Sequence, residues 1–121
     1  MDIGDSKVLI TGGAGFVGSH LADKLVQMGT KVVVIDNFDE FYRGKEMNVN
    51  HNLNRKNYRL VKGDILSFGK LLSAMKGVDI VFHQAAQAGL RHCNSHPMKA
   101  HNVNVTGTIN VLIAARQNKV K

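Results

Sequence analysis

Thr11-Gly-Gly-Ala-Gly-Phe-Val-Gly18 stands between the apolar run Val8-Leu-Ile10 and a segment in which Val17, Leu21, Leu25 and Met28 recur at helical spacing. A short buried strand, a glycine-rich turn and an amphipathic helix, in that order, make a place for a phosphate. Without side chains at Gly12, Gly15 and Gly18 the main chain can turn tightly, approach a pyrophosphate and let helix pack on strand. The free N–H groups of the first helical turn, from Phe16, Val17 and Gly18, then face the anion. The glycines are spaced G-x-x-G-x-x-G rather than G-x-G-x-x-G, and it is their position between strand and helix that marks dinucleotide binding.

Outward from this turn, Gly29 closes the helix as a left-handed cap, and Lys31 to Ile35 follows as a second strand, whose three valines and isoleucine in a row suit a parallel strand buried on both faces. It stops at Asp36, 18 residues beyond Gly18. A carboxylate there accepts hydrogen bonds from both adenosine ribose hydroxyls and repels a 2′-phosphate, which selects NAD over NADP. Asn37 to Asn57 is polar and asparagine-rich, a surface excursion with one short helix around Gly44 to Val49. Tyr58 to Lys62 makes a third strand, followed by Gly63-Asp64, where the carboxylate either reaches an adenine amino group or closes a simple Asx turn. Ser67 caps a helix over Phe68 to Lys76, ended by Gly77, and Ile80 to His83 forms the fourth strand.

Gln84 to Gly89 supplies small residues that let backbone lie against a flat ligand. Pro97 opens a last helix, running to about Lys119, with Val105, Ile109 and Leu112 as its apolar stripe and Asn104 and Thr108 on one face. Strands alternating with helices at this spacing imply an α/β fold: a Rossmann-like parallel sheet of strand order 3-2-1-4, a truncated form of the doubly wound arrangement. The switch point between strands one and four is where a dinucleotide belongs.

With 121 residues the chain is one domain's worth, and 44% apolar against 21% charged residues excludes a disordered or fibrous polymer. Sixteen Lys and Arg against nine Asp and Glu give a net charge of +7, which invites nucleic acid. The basic residues are nevertheless scattered, from Lys7 and Lys24 to Lys70 and Lys76, without a dense run or interleaved aromatics, so a solvated surface that draws anionic nucleotides is the expectation. Met1 to Ser6 lacks the features of a signal peptide and nothing reads as a membrane span, which makes the cytoplasm the expected location. A single cysteine, Cys93, agrees with a reducing compartment.

Thr-Gly-x-x-Gly-x-x-Gly at Thr11 to Gly18, Asp36-Asn37, Gly63-Asp64 and His83-Gln84-Ala85-Ala86 together resemble the extended short-chain dehydrogenase/reductases, in particular the NAD-dependent nucleotide-sugar epimerases and dehydratases. His83 to Arg91, Pro97 and Asn104-Val-Thr-Gly-Thr108 most resemble the UDP-glucuronate 4-epimerase branch. The resemblance implies that Gly12, Gly15 and Gly18 hold the pyrophosphate, Asp36 and Asn37 the adenosine ribose, and Asp64 and Ile65 the adenine. Ala85, Ala86 and Gln87 would line the nicotinamide side, with Asn104 among the cofactor-binding residues. It further implies hydride transfer between C4 of the sugar and NAD, with a tyrosine as base.

The resemblance covers only the family's N-terminal portion, so residues 1–121 are expected to form the NAD-binding domain without the substrate part. Tyr58-Arg-Leu-Val-Lys62 fits the family's Tyr-x-x-x-Lys on spacing but lies in a strand, where residues four apart are separated by about 13 Å rather than being helical neighbours. No residue of this chain is therefore assigned a catalytic role, and a nucleotide sugar is a partner only of a complete enzyme. His92, Cys93, His96 and His101 read as a solvated loop rather than a metal site, because Pro97 biases His96 away from helix. Arg91 could meet a phosphate or a uronic-acid carboxylate. The apolar fourth strand, left as a sheet edge, is expected to promote self-association.

Overall fold

The computed structural model describes residues 2–121. Four parallel strands, β1 (Lys7–Thr11), β2 (Lys31–Asp36), β3 (Tyr58–Lys62) and β4 (Ile80–His83), form one sheet of order β3-β2-β1-β4. The helices are α1 (Phe16–Gln27), α2 (Lys45–Val49), α3 (Phe68–Ala74), α4 (Leu90–Ser95), α5 (Pro97–His101) and α6 (Gly107–Gln117). The strand order and the four strands agree with the sequence reading.

Side-chain alternation along the strands divides the core into two layers. Val8, Ile10, Val32 and Val34 face Ala22, Leu25 and Val26 of α1, while Leu9, Val33 and Ile35 face Leu71 and Met75 around α3 and Val111 and Ala114 of α6. Both faces of β1 and β2 are thus covered, which is why their sequences are apolar throughout. Each fully buried Val, Leu or Ile contributes about 1.5–3 kcal/mol from removal of apolar surface from water.

The register aligns the strand ends that build the site. Thr11 of β1 lies between Ile35 of β2 and His83 of β4, and Asp36 pairs with Lys62 of β3. Ladder-like bonds continue past the strands, from Gly12 N–H to Ile35 C=O (2.8 Å), Gln84 N–H to Thr11 C=O (3.1 Å) and Gly63 N–H to Asp36 C=O (2.9 Å). The three loops that leave this edge are therefore held in register with one another. At the opposite end, Lys121 N–H donates to Asp79 C=O (3.1 Å) beside β4.

Three expectations change. Val105, Ile109 and Leu112 are exposed, and α6 buries Val111 and Ala114 instead; Ser67 precedes α3 without a side-chain cap bond. The segment around His92 and His96 is not a loop: Leu90–Ser95 is helical, and the His92 and His96 rings stack with centroids 4.6 Å apart. Pro97 still acts as expected, since His96 has φ −132° and ψ 61° and separates α4 from α5. The last helix runs on from Pro97 to Gln117 as expected, with a π-helical stretch, Asn102–Thr106, inserted between α5 and α6.

Candidate dinucleotide site

Three of the four glycines in Thr11 to Gly18 are enforced by close approach. Gly12 has φ +68°, and a Cβ there would stand 2.7 Å from both N and Cα of Ala85. A Cβ at Gly13 would lie 2.6 Å from Val34 Cγ1, and one at Gly18 would collide with the Gly12 carbonyl oxygen. Gly15 differs: a Cβ there would stand 3.3 Å from Gly12 O, a tight contact that a shift of a few tenths of an ångström relieves, so packing constrains it less than the other three. Gly13 is a residue that sequence reasoning missed. The three successive valines of β2, which leave no room under the turn, are the signal that could have found it.

Helix α1 starts at Phe16 with Gly15 as N-cap and no side-chain cap. Among the described residues, no acceptor meets the N–H groups of Phe16, Val17 or Gly18, which are left free at the positive end of a helix of 12 residues. Phe16 and Val17 are exposed over the same mouth.

That mouth opens into a cleft of about 820 Å³ lined by Gly12, Gly15 to Gly18, Asp36, Asn37, Asp64, Ile65 and Ala85 to Gln87. The structure brings these predicted residues together from three loops. Asp36 is buried at one end, where Oδ2 accepts from Ala14 N–H (3.1 Å) and Oδ1 from Phe38 N–H (2.8 Å). Asn37 Nδ2 donates to Asp64 Oδ2 (3.1 Å), and Asp64 Oδ1 accepts from Leu66 N–H (2.9 Å), an Asx turn that leaves its carboxylate on the cleft wall. Asn110 of α6 donates to Ile65 C=O (3.0 Å), and the absent side chain of Gly107 admits Ile65 itself.

Asn104 is the one predicted site residue that does not line the cleft. Within the π-helical stretch, its Oδ1 accepts from Gln87 N–H (2.7 Å) and its Nδ2 donates to Gln87 C=O (3.0 Å), so it grips that residue as a strand neighbour would. Its role in this geometry is to position the Ala85–Gln87 wall. Arg91 lies exposed on α4, and Tyr58 points away from the cleft into the layer beneath α1, its hydroxyl unpartnered and its pKa pushed up to about 12 by burial, with Asp23 and Asp36 adding to the shift.

A clasp across the cleft was also missed. Tyr42 Oη accepts from Ala88 N–H (2.6 Å) and donates to Ala88 C=O (2.9 Å), Phe41 stacks on His92 at 3.9 Å, and Lys99 pairs with Asp39 at 2.7 Å. The Lys99 hydrogen bond, aided by Phe41 N–H, holds the Asp39 carboxyl below its usual range. The loop after β2 is thereby tied to the loop and helices after β4. Lys45, missed as well, sends Nζ to Asp36 Oδ1 at 2.8 Å with both side chains buried.

Behind the wall, His83 is read as a neutral Nε2–H tautomer. Thr11 Oγ1 accepts from Gln84 and Ala85 N–H (both 3.1 Å), so its own proton goes to His83 Nδ1 at 2.6 Å. Thr108 Oγ1 donates to Asn104 C=O (2.7 Å) and so accepts from His83 Nε2 at 2.8 Å. Burial lowers the His83 pKa below 6.5. Because the folded pKa is depressed, this stability is complete above about pH 6.5 and is lost as pH falls from there through the folded value. We expect the melting temperature to drop between pH 7.5 and 5.5, and this drop to shrink in His83→Gln; an equal drop in both proteins would assign it to other histidines.

The family model described as GDP-mannose 4,6 dehydratase matches residues 9–121. The chain belongs to this family. It is 38% identical over 111 residues to UDP-glucuronic acid decarboxylase 4 of Arabidopsis thaliana, covering 92% of this chain and 23% of that protein. Among solved structures, UDP-glucose 4-epimerase of Thermus thermophilus in complex with NAD superposes with a TM-score of 0.81 at 35% identity, over 95% of this chain and 35% of the other. The dTDP-glucose 4,6-dehydratase DesIV of Streptomyces venezuelae, with NAD and TYD bound, gives 0.87 at 31% identity, over 94% and 37%. The chain thus spans about a quarter to a third of the length of these family members. No helix among the described residues is long and apolar enough to cross a membrane, and no three His, Cys, Asp or Glu among them converge as a metal site.

Proposed function

We propose that this chain is the NAD-binding part of a nucleotide-sugar epimerase of the UDP-glucuronate 4-epimerase type, binding the cofactor without turning over sugar by itself. The observation that carries the reading is one cleft that joins a side-chain-free turn and unpaired helix N–H groups to a buried carboxylate at the end of β2. A pyrophosphate fits the first, and a ribose hydroxyl the acceptor position left open on the second. The glycines and the N–H groups of Phe16 to Gly18 would hold the pyrophosphate, Asp36 and Asn37 the ribose, Asp64 and Ile65 the adenine. Ala85 to Gln87 would form the wall beside the nicotinamide. When bound, NAD supplies a hydride acceptor.

The NAD-bound epimerase and dehydratase to which the chain is similar support this assignment. The lack of turnover is argued from the sequence: Tyr58 and Lys62 are its one Tyr-x-x-x-Lys spacing, and they lie on β3, where the pair cannot act together. Titration calorimetry is expected to show binding of NAD and of ADP-ribose, with no conversion of UDP-glucuronate by the purified chain. Absence of any nucleotide binding would overturn the first half of the reading, and turnover the second.

A further inference from the structure

The corner of the cleft at the end of β2 holds both a carboxylate and a cation. Asp36 Oδ1 takes Lys45 Nζ (2.8 Å) besides Phe38 N–H (2.8 Å), and Oδ2 takes Ala14 N–H (3.1 Å). Three of about four acceptor positions on the carboxylate are occupied, one of them by the lysine. Among the described residues Lys45 Nζ pairs with no other carboxylate, since Asp39 is taken by Lys99 and Asp64 by Asn37 and Leu66 N–H; its other neighbour is the Tyr42 ring, with the centroid 5.4 Å away. Lys45 and Asp36 both line the cleft, with Arg43 exposed beside them. A carboxylate at this place favours a ribose 2′-hydroxyl, whereas a cation there accepts a 2′-phosphate. This site contains one of each, paired.

We propose that Lys45 is a specificity-determining residue of the cleft, a 2′-phosphate receptor kept engaged by Asp36, so that this pair decides between NAD and NADP. The inference rests on the dinucleotide reading above. While Asp36 is present, a 2′-phosphate meets its charge and must compete for the lysine. Remove that charge and the lysine loses its counter-ion while it stays lining the cleft, so a 2′-phosphate competes only with a neutral acceptor for it.

The test is calorimetry of the chain and its variants with NAD and with NADP. Asp36→Asn is expected to weaken NAD about tenfold and to strengthen NADP about tenfold or more, and Asp36→Asn/Lys45→Met to lose the NADP gain. Lys45→Met alone, which leaves Asp36 its two main-chain donors, is expected to widen the preference for NAD about tenfold. NADP binding unchanged in a folded Asp36→Asn, or a gain that survives loss of the lysine, would overturn the inference while NAD binding to the parent chain stands. Should Asp36→Asn fail to fold, an unchanged NAD-to-NADP ratio in Lys45→Met overturns it. A parent chain that binds neither nucleotide overturns the dinucleotide reading and this inference with it.

Discussion

Gly12→Ala is expected to abolish nucleotide binding and to destabilise the chain by about 2–4 kcal/mol, as strain from a left-handed non-glycine residue and from overpacking combine. The residue has φ +68°, and the atoms a methyl would meet, Ala85 N and Cα at 2.7 Å, are main chain and cannot rotate away. The wall at Ala85 would have to retreat from the glycine turn, which opens the crevice between β1 and β4. Gly15→Ala separates binding from folding. Its Cβ would meet Gly12 O at 3.3 Å, which asks for a main-chain shift of a few tenths of an ångström, and the residue lies outside the left-handed region, so the loss of stability should be about 1 kcal/mol and well below that of Gly12→Ala. The added methyl nevertheless stands on the floor of the cleft where the phosphates approach. Calorimetry and thermal melts on the two variants should therefore give loss of both properties for Gly12→Ala and loss of binding alone for Gly15→Ala. Parent-like NAD affinity in Gly15→Ala would remove the phosphate from this turn.

The contrast between these glycines marks how far the sequence could be read. Strands β1, β2 and β4, the strand order and the convergence of the glycine turn with Asp36, Asp64 and Ala85 follow from local patterns. Parallel buried strands read as apolar runs, and their loops emerge at one edge. Lys45, Tyr42 and Asn104 act through contacts between segments distant in sequence, and their local pattern is only that of a polar, asparagine-rich loop or a helix face. The reach of Tyr42 to Ala88 depends on where the loop after β2 meets the loop after β4. The π-helical stretch at Asn102–Thr106 is hidden for a related reason: Val105, Ile109 and Leu112 keep a helical period through it, while the grip of Asn104 on Gln87 is tertiary. Helix α4 was obscured by its polar composition and by Pro97, whose effect reaches only to His96.

Thr11→Val should cost about 2–4 kcal/mol although the two side chains are nearly the same shape, because the hydroxyl is fully buried and serves three partners. Gln84 N–H keeps the Thr11 carbonyl as an acceptor at 3.1 Å, so the loss falls on Ala85 N–H and His83 Nδ1. Ala85 is the residue that Gly12 approaches, and freeing its amide loosens the wall opposite the turn, for which a drop of about tenfold in NAD affinity is expected. Thr11→Ser retains the hydroxyl and should recover most of both losses, which a purely steric role for the threonine would not permit. The pH dependence gives an independent readout. In the parent chain burial keeps His83 uncharged, and a hydroxyl that donates to the ring nitrogen at 2.6 Å favours that same neutral form. Without that donor the neutral form loses support, its folded pKa moves back toward 6.5, and the acid-side loss of stability shrinks even as the total stability falls. Melting curves from pH 7.5 to 5.5 on the parent, Thr11→Val and Thr11→Ser decide this: an undiminished acid-side loss in Thr11→Val would show that the hydroxyl does not set the protonation of His83.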